Sequence, residues 1–205
     1  VMERGVDSRN FVLLGIILVA ALILSRFGSE LTGQQAYTPS AGSPVRQPLA
    51  QKCVFVNSES EMPAGLDGVL TEKCVILQSS FPLKKEYVIA LDDSLITCTK
   101  GVTLSYGGGP FAKFNAFAIN EGVKKAQITG CGFQGAFKEA IRNGGENTFI
   151  KENRFGNNKV SLKEADTARK GVYESNIILY AYDKGIVLHG MDGEVKTSTI
   201  RFSPV

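Results

Sequence analysis

The chain has 205 residues, a formal net charge of +3 and four cysteines, and 43% of it is apolar. Its length allows one domain of ordinary size and an additional segment. The single histidine leaves little material for a His-based metal site or catalytic triad. Residues 53–205 carry 18 Lys and Arg against 17 Asp and Glu, and this near balance argues against a nucleic-acid partner.

The chain begins with a hydrophobic segment. Residues 11–24 are apolar apart from Gly15, and as a helix they would span about 21 Å, against about 30 Å for the hydrocarbon core. A short membrane anchor, the apolar region of a signal peptide and a buried helix all stay open, and we prefer the anchor. Arg4–Gly5 before this segment also resembles the processing site of archaeal pilin-type precursors. We therefore predict an N-terminal anchor or signal-anchor α-helix over residues 1–27.

A linker and a folded body are expected after the anchor. Residues 28–52 are rich in Ser, Gly, Gln, Thr and Pro and show no hydrophobic period. Such a composition buries too little apolar surface to offset its ordering entropy, so the segment is predicted to be a flexible linker. The body then covers residues 53–205. An anchor and a linker would hold this body outside the cytoplasm, at the cell surface or in the periplasm.

The body contains an internal repeat. The segment AFKEAIRNGG at 136–145 returns as AYDKGIVLHG at 181–190, and halving that interval reveals a shorter unit. The unit is an apolar residue, two free positions, a small polar residue, one free position and a second apolar residue. Clear copies open at Ile128, Ile150, Tyr173 and Val195, and less regular copies open at Val54, Ile76 and Val102.

Two further columns follow from this register. The small polar residue at the centre of the four clear copies is Cys131, Asn153, Asn176 and Ser198. We expect these side chains to stack as a ladder at a bend, where they can satisfy backbone groups. A second apolar column contains Ile89, Ile119, Ile141 and Ile186, with Leu162 as the nearest candidate in the remaining turn. Residues 163–171 are predicted to form a solvent-exposed loop.

A period of 22–26 residues with short segments that alternate in steps of two predicts strands of a solenoid. Strands that pair with their equivalents one turn later form a parallel β-helix. The stretches YVIALDDSLITCTKGVTLSYGGG and AFAINEGVKKAQITGCGFQGAFKEAIRNGGENTFIKENRFGNN resemble the right-handed parallel β-helix group that includes pectate-lyase-like and NosD-type proteins. The resemblance covers about residues 74–202. It implies an all-β, right-handed parallel β-helix of about seven rungs, preceded by one hydrophobic α-helix and a flexible linker.

The same resemblance implies no single activity, because the fold hosts lyases, hydrolases, adhesins and structural proteins. Enzymes of this group that cleave pectic sugars carry stacked Asp residues, and no such column exists at the equivalent position here. Asp92 and Asp93 in LDDS, with His189 and Asp192 in LHGMDG, resemble fragments of a polygalacturonase site. They lie about four rungs apart in reverse order. We favour the interpretation that they belong to turns and that His189 faces solvent.

The cysteines contain no C-x-x-C motif, which excludes zinc-ribbon and thioredoxin sites. Cys53 and Cys74 precede their strands by one and two residues, so they should be nearly stacked and could form a disulfide in an oxidising compartment. Cys131 is expected to be a buried free thiol. The repeat does not predict a position or a partner for Cys98.

These observations lead to three hypotheses about function. The preferred one is a membrane-anchored, extracytoplasmic β-helix that is non-catalytic and either structural or a binder of surface glycans. The alternatives are a carbohydrate-active enzyme and a pilin-like or filament-forming subunit that associates through its β-helix ends. The expected partners are the membrane, polysaccharide and further copies of the chain, and no cofactor or metal is expected.

Overall fold

In a computed structural model of the protein, the described residues are 52–106 and 113–201. The chain divides into units 1–47 and 48–205, and all described residues belong to the second unit. The predicted anchor over residues 1–27 and all but the last residue of the predicted linker, 28–52, lie outside the described residues. The anchor and the linker therefore stay predictions.

The described residues form short β-strands and one turn of 3₁₀ helix, η1 (Glu59–Glu61). In chain order the strands are β1 (Val54–Val56), β2 (Cys74–Leu77), β3 (Phe81–Leu83), β4 (Tyr87–Ile89), β5 (Leu95–Cys98), β6 (Thr103–Tyr106), β7 (Phe117–Ile119), β8 (Gln127–Thr129) and β9 (Gly132–Gln134). They continue with β10 (Glu139–Asn143), β11 (Phe149–Lys151), β12 (Arg154–Gly156), β13 (Val160–Glu164), β14 (Val172–Glu174), β15 (Ile177–Leu179), β16 (Lys184–Val187), β17 (Glu194–Lys196) and β18 (Thr199–Arg201).

The strands assemble into three parallel sheets. The first sheet has the order β1-β2-β5-β8-β11-β14-β17, the second β18-β15-β12-β9-β6-β3, and the third β16-β13-β10-β7-β4. From β2 onward, successive strands along the chain belong to the first, second and third sheets in turn, so the chain coils through all three faces. The described body is an all-β parallel solenoid of about six turns. The seven predicted rungs included β1, which has no counterpart in the other two sheets.

Inward side chains of the first sheet stack in the core. The register places Val75, Ile96, Ile128, Ile150 and Tyr173 in one column, and all five are fully buried. Side chains on either side of them point outward because strand residues alternate between the two faces. Burying each such aliphatic side chain stabilises the fold by about 1.5–3 kcal/mol. The stacked apolar columns are therefore the main source of stability.

The register confirms part of the predicted alignment and corrects the rest. Ile141, Leu162 and Ile186 are aligned in the third sheet, as predicted. Ile89 and Ile119 were wrongly placed in that column, because they align with Asn143, two residues further along. Val102 does not open a first-sheet strand, because the residue aligned with Ile128 is Ile96. The Gly132 N–H donates to the Val102 carbonyl over 2.9 Å, which places Val102 at a bend. An apolar residue that points inward at a bend cannot be distinguished by pattern from one that opens a strand.

The predicted loop at 163–171 is also corrected. β13 extends to Glu164, and both Glu164 and Ala168 are buried. The Ala168 N–H donates to the Ala165 carbonyl over 3.0 Å, and its own carbonyl accepts from the Met191 N–H over 3.0 Å. The segment is therefore part of the stacked architecture and only partly exposed.

Each turn bends at three corners, and a left-handed residue stands at most of them. We call the corner between the first and second sheets the first corner, that between the second and third sheets the second corner, and that leading to the next turn the third corner. Positive φ angles occur at the first corner in Gly101, Gly130, Glu152, Ser175 and Thr197, at the second in Gly135, Asn157 and Tyr180, and at the third in Asp93, Lys125, Asn147, Lys170 and Asp192. One left-handed residue reverses the chain direction sharply, which explains why Gly, Asn and Asp recur at these positions.

Candidate ligand-binding surface

The predicted ladder residues lie at the first corner. The Asn153 carboxamide oxygen accepts from the Cys131 N–H over 3.0 Å, and its Nδ2 donates to the Ile128 carbonyl over 2.9 Å. Asn176 repeats this arrangement one turn later, with bonds of 3.1 Å from the Asn153 N–H and 2.8 Å to the Ile150 carbonyl. Each amide thus satisfies backbone groups of the preceding turn at a corner where the sheets do not. Cys131, Asn153 and Asn176 are buried, so this part of the ladder is structural and presents nothing to a ligand.

Both pairs of cysteines form disulfides, and both bonds lie in the N-terminal half of the described solenoid. Cys53 is joined to Cys74 with their Cα atoms 4.6 Å apart, the pair proposed from the sequence. Cys98 is joined to Cys131 with Cα atoms 5.0 Å apart, so the expectation of a free thiol at Cys131 was wrong. Thr97 pairs with Thr129 in the first sheet, which brings the two cysteines to the first corner of adjacent turns. The sequence repeat placed Val102 on a first-sheet strand and so misaligned the second turn. For this reason the sequence did not predict that Cys98 and Cys131 are neighbours.

The weak catalytic candidates from the sequence are not brought together. Asp92 accepts from the Lys124 N–H over 2.7 Å, and Asp93 is left-handed with a φ of 57°. Asp192 occupies the same column of the third corner as Asp93, four turns further on, at a distance of about 19 Å for strands spaced about 4.8 Å apart. His189 is half exposed, with Nδ1 3.8 Å from Asp166 Oδ1. Two carboxyl groups that cleave a glycosidic bond stand within about 10 Å of each other. Asp93 and Asp192 are therefore too far apart to be an acid and base pair.

A buried polar network surrounds Glu164, which the sequence analysis missed. The Tyr173 hydroxyl donates to Glu164 Oε1 over 3.2 Å, and the Gly190 N–H donates to Oε2 over 3.2 Å. Asn143 Nδ2 donates to the Tyr173 hydroxyl over 2.8 Å. A Cβ added at Gly193 would lie 2.6 Å from Glu164 Oε2, so a larger residue there would displace the carboxyl group. The signal in the sequence is the break in an apolar column, in which Ile89 and Ile119 align with Asn143 and Glu164.

Burial raises the pKa of the Glu164 carboxyl group, and the hydrogen bonds from Tyr173 and Gly190 oppose part of that rise. A raised folded-state pKa means that the native protein binds more protons than the unfolded chain above about pH 4.3, the ordinary pKa of Glu. The contribution of this group to stability is present below that pH and is lost as the pH rises through its folded pKa. The exposed His189 also lowers the pKa of Glu164, by less than the two hydrogen bonds do.

We therefore predict that Glu164→Gln will reduce the loss of stability between pH 4 and pH 7. The free energy of unfolding, measured by denaturant titration at several pH values, should fall less steeply in the variant than in the natural chain. Glu152→Gln, an exposed position at the first corner, is the matched control and should leave the slope unchanged. Parallel curves for the natural chain and Glu164→Gln would contradict the assignment.

An open cleft of about 730 Å³ lies beside η1. Its lining includes Glu59, Lys84, Lys85 and Tyr87, and the polar side-chain groups of Glu59, Lys85 and Tyr87 are bonded within the fold. Glu59 Oε1 accepts from the Lys84 N–H over 2.5 Å, and Lys85 Nζ donates to the Gly65 carbonyl over 3.1 Å. Burial, and then the Glu59 carboxylate, raise the pKa of Tyr87. These hydrogen bonds hold the first turns together, and the groups that form them are not available to a ligand.

Exposed aromatic residues cluster at the second corner of the fifth turn. Tyr180 is 51% exposed and Tyr182 61% exposed, and Ile177 on the adjoining outer face of the second sheet is 43% exposed. Tyr180 has a φ of 57°, at a position occupied by Gly135 and Asn157 in the two preceding turns. A bulky side chain in this conformation is strained by about 1–2 kcal/mol. The comparison of these three aligned positions is the sequence signal that could have found Tyr180.

We found no match for the chain among protein-family models, curated proteins or solved structures. Within residues 52–106 and 113–201, no group of three or more His, Cys, Asp or Glu side chains is placed to hold a metal ion. Across that same part of the chain, no helix is long and apolar enough to span a lipid bilayer. The geometry of the solenoid surface is thus the basis for assigning a function.

Proposed function

We propose that the protein is a non-catalytic, extracytoplasmic β-solenoid, held to a membrane by residues 11–24, that binds extended glycans along its second corner. The observation that carries the proposal is Tyr180, an exposed aromatic residue in a strained backbone conformation. Strain of this kind persists where the surrounding structure imposes it, and it concentrates at binding and catalytic sites. The fold itself does not require a tyrosine there, because Gly135 and Asn157 fill the same position in other turns.

Sugar rings present flat C–H faces that pack against aromatic rings, while their hydroxyls remain in water. Tyrosine suits such a partner because it combines a large apolar face with a polar tip. Tyr180, Tyr182 and Ile177 supply an exposed apolar area along one edge of the solenoid. An elongated edge built from equivalent turns is suited to a polymer that also repeats.

The disulfides support the proposed compartment, and the resemblance of the sequence supports the proposed family. Both disulfides are of the kind that persists outside the reducing cytosol. We assign the solenoid to the right-handed pectate-lyase-like and NosD-type group on the resemblance of its sequence, and right-handed coiling is the hand that parallel crossovers prefer. Asp92, Asp93 and His189 have no catalytic role in this proposal, and purified chain should not cleave polyuronates.

The proposal is tested by retention of the 205-residue chain on immobilised polysaccharides. The panel should include neutral polymers (cellulose, xylan and dextran) and anionic ones, with bovine serum albumin as a protein that shows the background. Retention on at least one polymer, competed by the same polymer in solution, is the expected result. Background retention on every polymer would remove glycan binding from the proposal.

Tyr180→Asn should have opposite effects on stability and on binding. Asn tolerates the left-handed conformation, so the free energy of unfolding should rise by about 0.5–1 kcal/mol, while loss of the ring weakens polysaccharide binding roughly fivefold or more. Thr197→Asn is the control, because Thr197 is a strained left-handed residue at the first corner with a φ of 44°. It should gain stability without losing affinity. A Tyr180→Asn chain that binds as tightly as the natural one would disprove the role of Tyr180.

A further inference from the structure

Lysines line the second corner from one end of the solenoid to the other. Five consecutive turns each place one exposed lysine there, and we call this set the lysine ridge: Lys84, Lys113, Lys138, Lys159 and Lys184. The register aligns Lys138 with Lys159, and it aligns Lys184 with Val160, one residue further along the chain. The Val160 N–H donates to the Lys138 carbonyl and the Lys184 N–H donates to the Lys159 carbonyl, each over 3.2 Å. The backbones of Lys138 and Lys159 are therefore one strand spacing apart, about 4.8 Å, and Lys184 lies on the next turn, offset from them by one residue.

Like charges on adjacent strands repel each other and destabilise a sheet. Within the described part of the chain, no ridge lysine forms an ion pair with a carboxylate. The acidic groups of this corner are largely engaged elsewhere. Glu139 is buried and pairs with Lys163 over 3.0 Å, and Glu86 accepts from the Asn115 N–H over 3.0 Å. Asp183 is exposed and is the residue aligned with Lys159, so one carboxylate stands within the ridge.

At the third corner of the same molecule, positive and negative charges are balanced. One of its columns alternates in sign through Asp92, Lys124, Glu146 and Arg169, and the next contains Asp93, Lys125, Lys170 and Asp192. Opposite charges thus stand near each other on that edge and largely cancel. The excess of positive charge at the second corner is a local property, since the body as a whole is nearly neutral.

Resting on the glycan binding proposed above, we infer that the ligand is an anionic polysaccharide whose charged groups lie along the lysine ridge. A linear polymer with one sulfate or carboxylate per sugar presents charges at regular intervals, as the ridge does. Its rings would reach the apolar area of Tyr180 and Ile177 at the same corner. Two disulfides favour a compartment where glycans, rather than nucleic acids, are the common polyanions.

The test compares three polymers with one backbone: dextran, carboxymethyl dextran and dextran sulfate. The two anionic forms distinguish carboxylate from sulfate as the preferred group. The purified 205-residue chain should bind at least one anionic form, with an affinity that falls as salt is added, and should bind uncharged dextran much more weakly. In the triple variant Lys138→Gln, Lys159→Gln, Lys184→Gln, affinity should fall roughly tenfold to a hundredfold.

The matched control is the triple variant Lys124→Gln, Lys125→Gln, Lys170→Gln, which makes the same change in net charge at the third corner. It should bind like the natural chain, and thermal denaturation should show both triple variants folded. Equal losses in both triple variants, or none in the ridge variant, would overturn the inference. So would equal binding of polyglutamate, single-stranded DNA or anionic lipid vesicles. Binding of neutral polymers alone would overturn the anionic ligand while leaving glycan binding intact.

Discussion

A chain in which Cys98 and Cys131 are both replaced by alanine should lose about 3–4 kcal/mol of unfolding free energy. The bond closes a loop across 33 residues of sequence, and opening it returns that entropy to the unfolded chain. Denaturant titration is the measurement, with the midpoint shifting to lower denaturant concentration. Since Cys131 is buried, the missing sulfur atoms add a small packing loss.

The second disulfide provides the comparison for this experiment. Replacing Cys53 and Cys74 opens a shorter separation of 21 residues, so its expected loss is slightly smaller, about 3 kcal/mol. Adding reductant to the natural chain should lower stability by at least as much as either double substitution. Identical unfolding curves with and without reductant would show that neither bond stabilises the protein, and mass spectrometry that finds four free thiols would show that they do not form.

Asn153→Ala should cost about 3 kcal/mol, a fall in melting temperature of about 10 °C for a body of this size. The substitution leaves the Cys131 N–H and the Ile128 carbonyl buried without the partners they have now. Each unsatisfied buried group costs about 1–3 kcal/mol. Asn153→Leu keeps most of the volume and removes the same bonds, so a similar loss in both variants would attribute the effect to hydrogen bonding.

Ser198→Ala is the matched control for the ladder. Ser198 occupies the same column but is only partly buried, and its hydroxyl bonds to the Asn176 N–H and the Tyr173 carbonyl are long, at 3.3 Å each. Its removal should cost less than about 1 kcal/mol. If the exposed end of the column proved as sensitive as Asn153, burial would not be what makes the ladder stabilising.

The parallel solenoid could be predicted from the sequence because its turns repeat the same inward residues. Ile128, Ile150 and Tyr173 recur at 22 and 23 residues and do stack. The register of the first turns could not be predicted, because Val75, not Ile76, aligns with Val54, and both are apolar. A pattern of hydrophobicity carries no information about which of two neighbouring apolar residues points inward.

The candidate surface was mostly invisible to sequence reasoning for a related reason. Tyr180 is unusual only because its backbone is left-handed, and the sequence does not report φ angles. The lysines of the ridge are spaced unevenly along the chain, with the shortest interval between Lys138 and Lys159. Only the corner that they share makes them neighbours. Columns formed by turns of equal length can be predicted from the sequence. Neighbours that arise from the stacking of turns of unequal length can be identified only from the coordinates.

The position of the two disulfides has a mechanical consequence. Hydrogen bonds between successive turns run along the solenoid axis, so a pull between Lys52 and Arg201 loads them in tension, one turn after another. Cys53–Cys74 joins β1 to the first turn and Cys98–Cys131 joins the second turn to the third, whereas the contact between the first and second turns and the turns from β11 onward are held by hydrogen bonds and packing alone. Under force the solenoid should therefore lengthen in small steps as the turns without a cross-link separate, while the second and third turns stay joined by Cys98–Cys131.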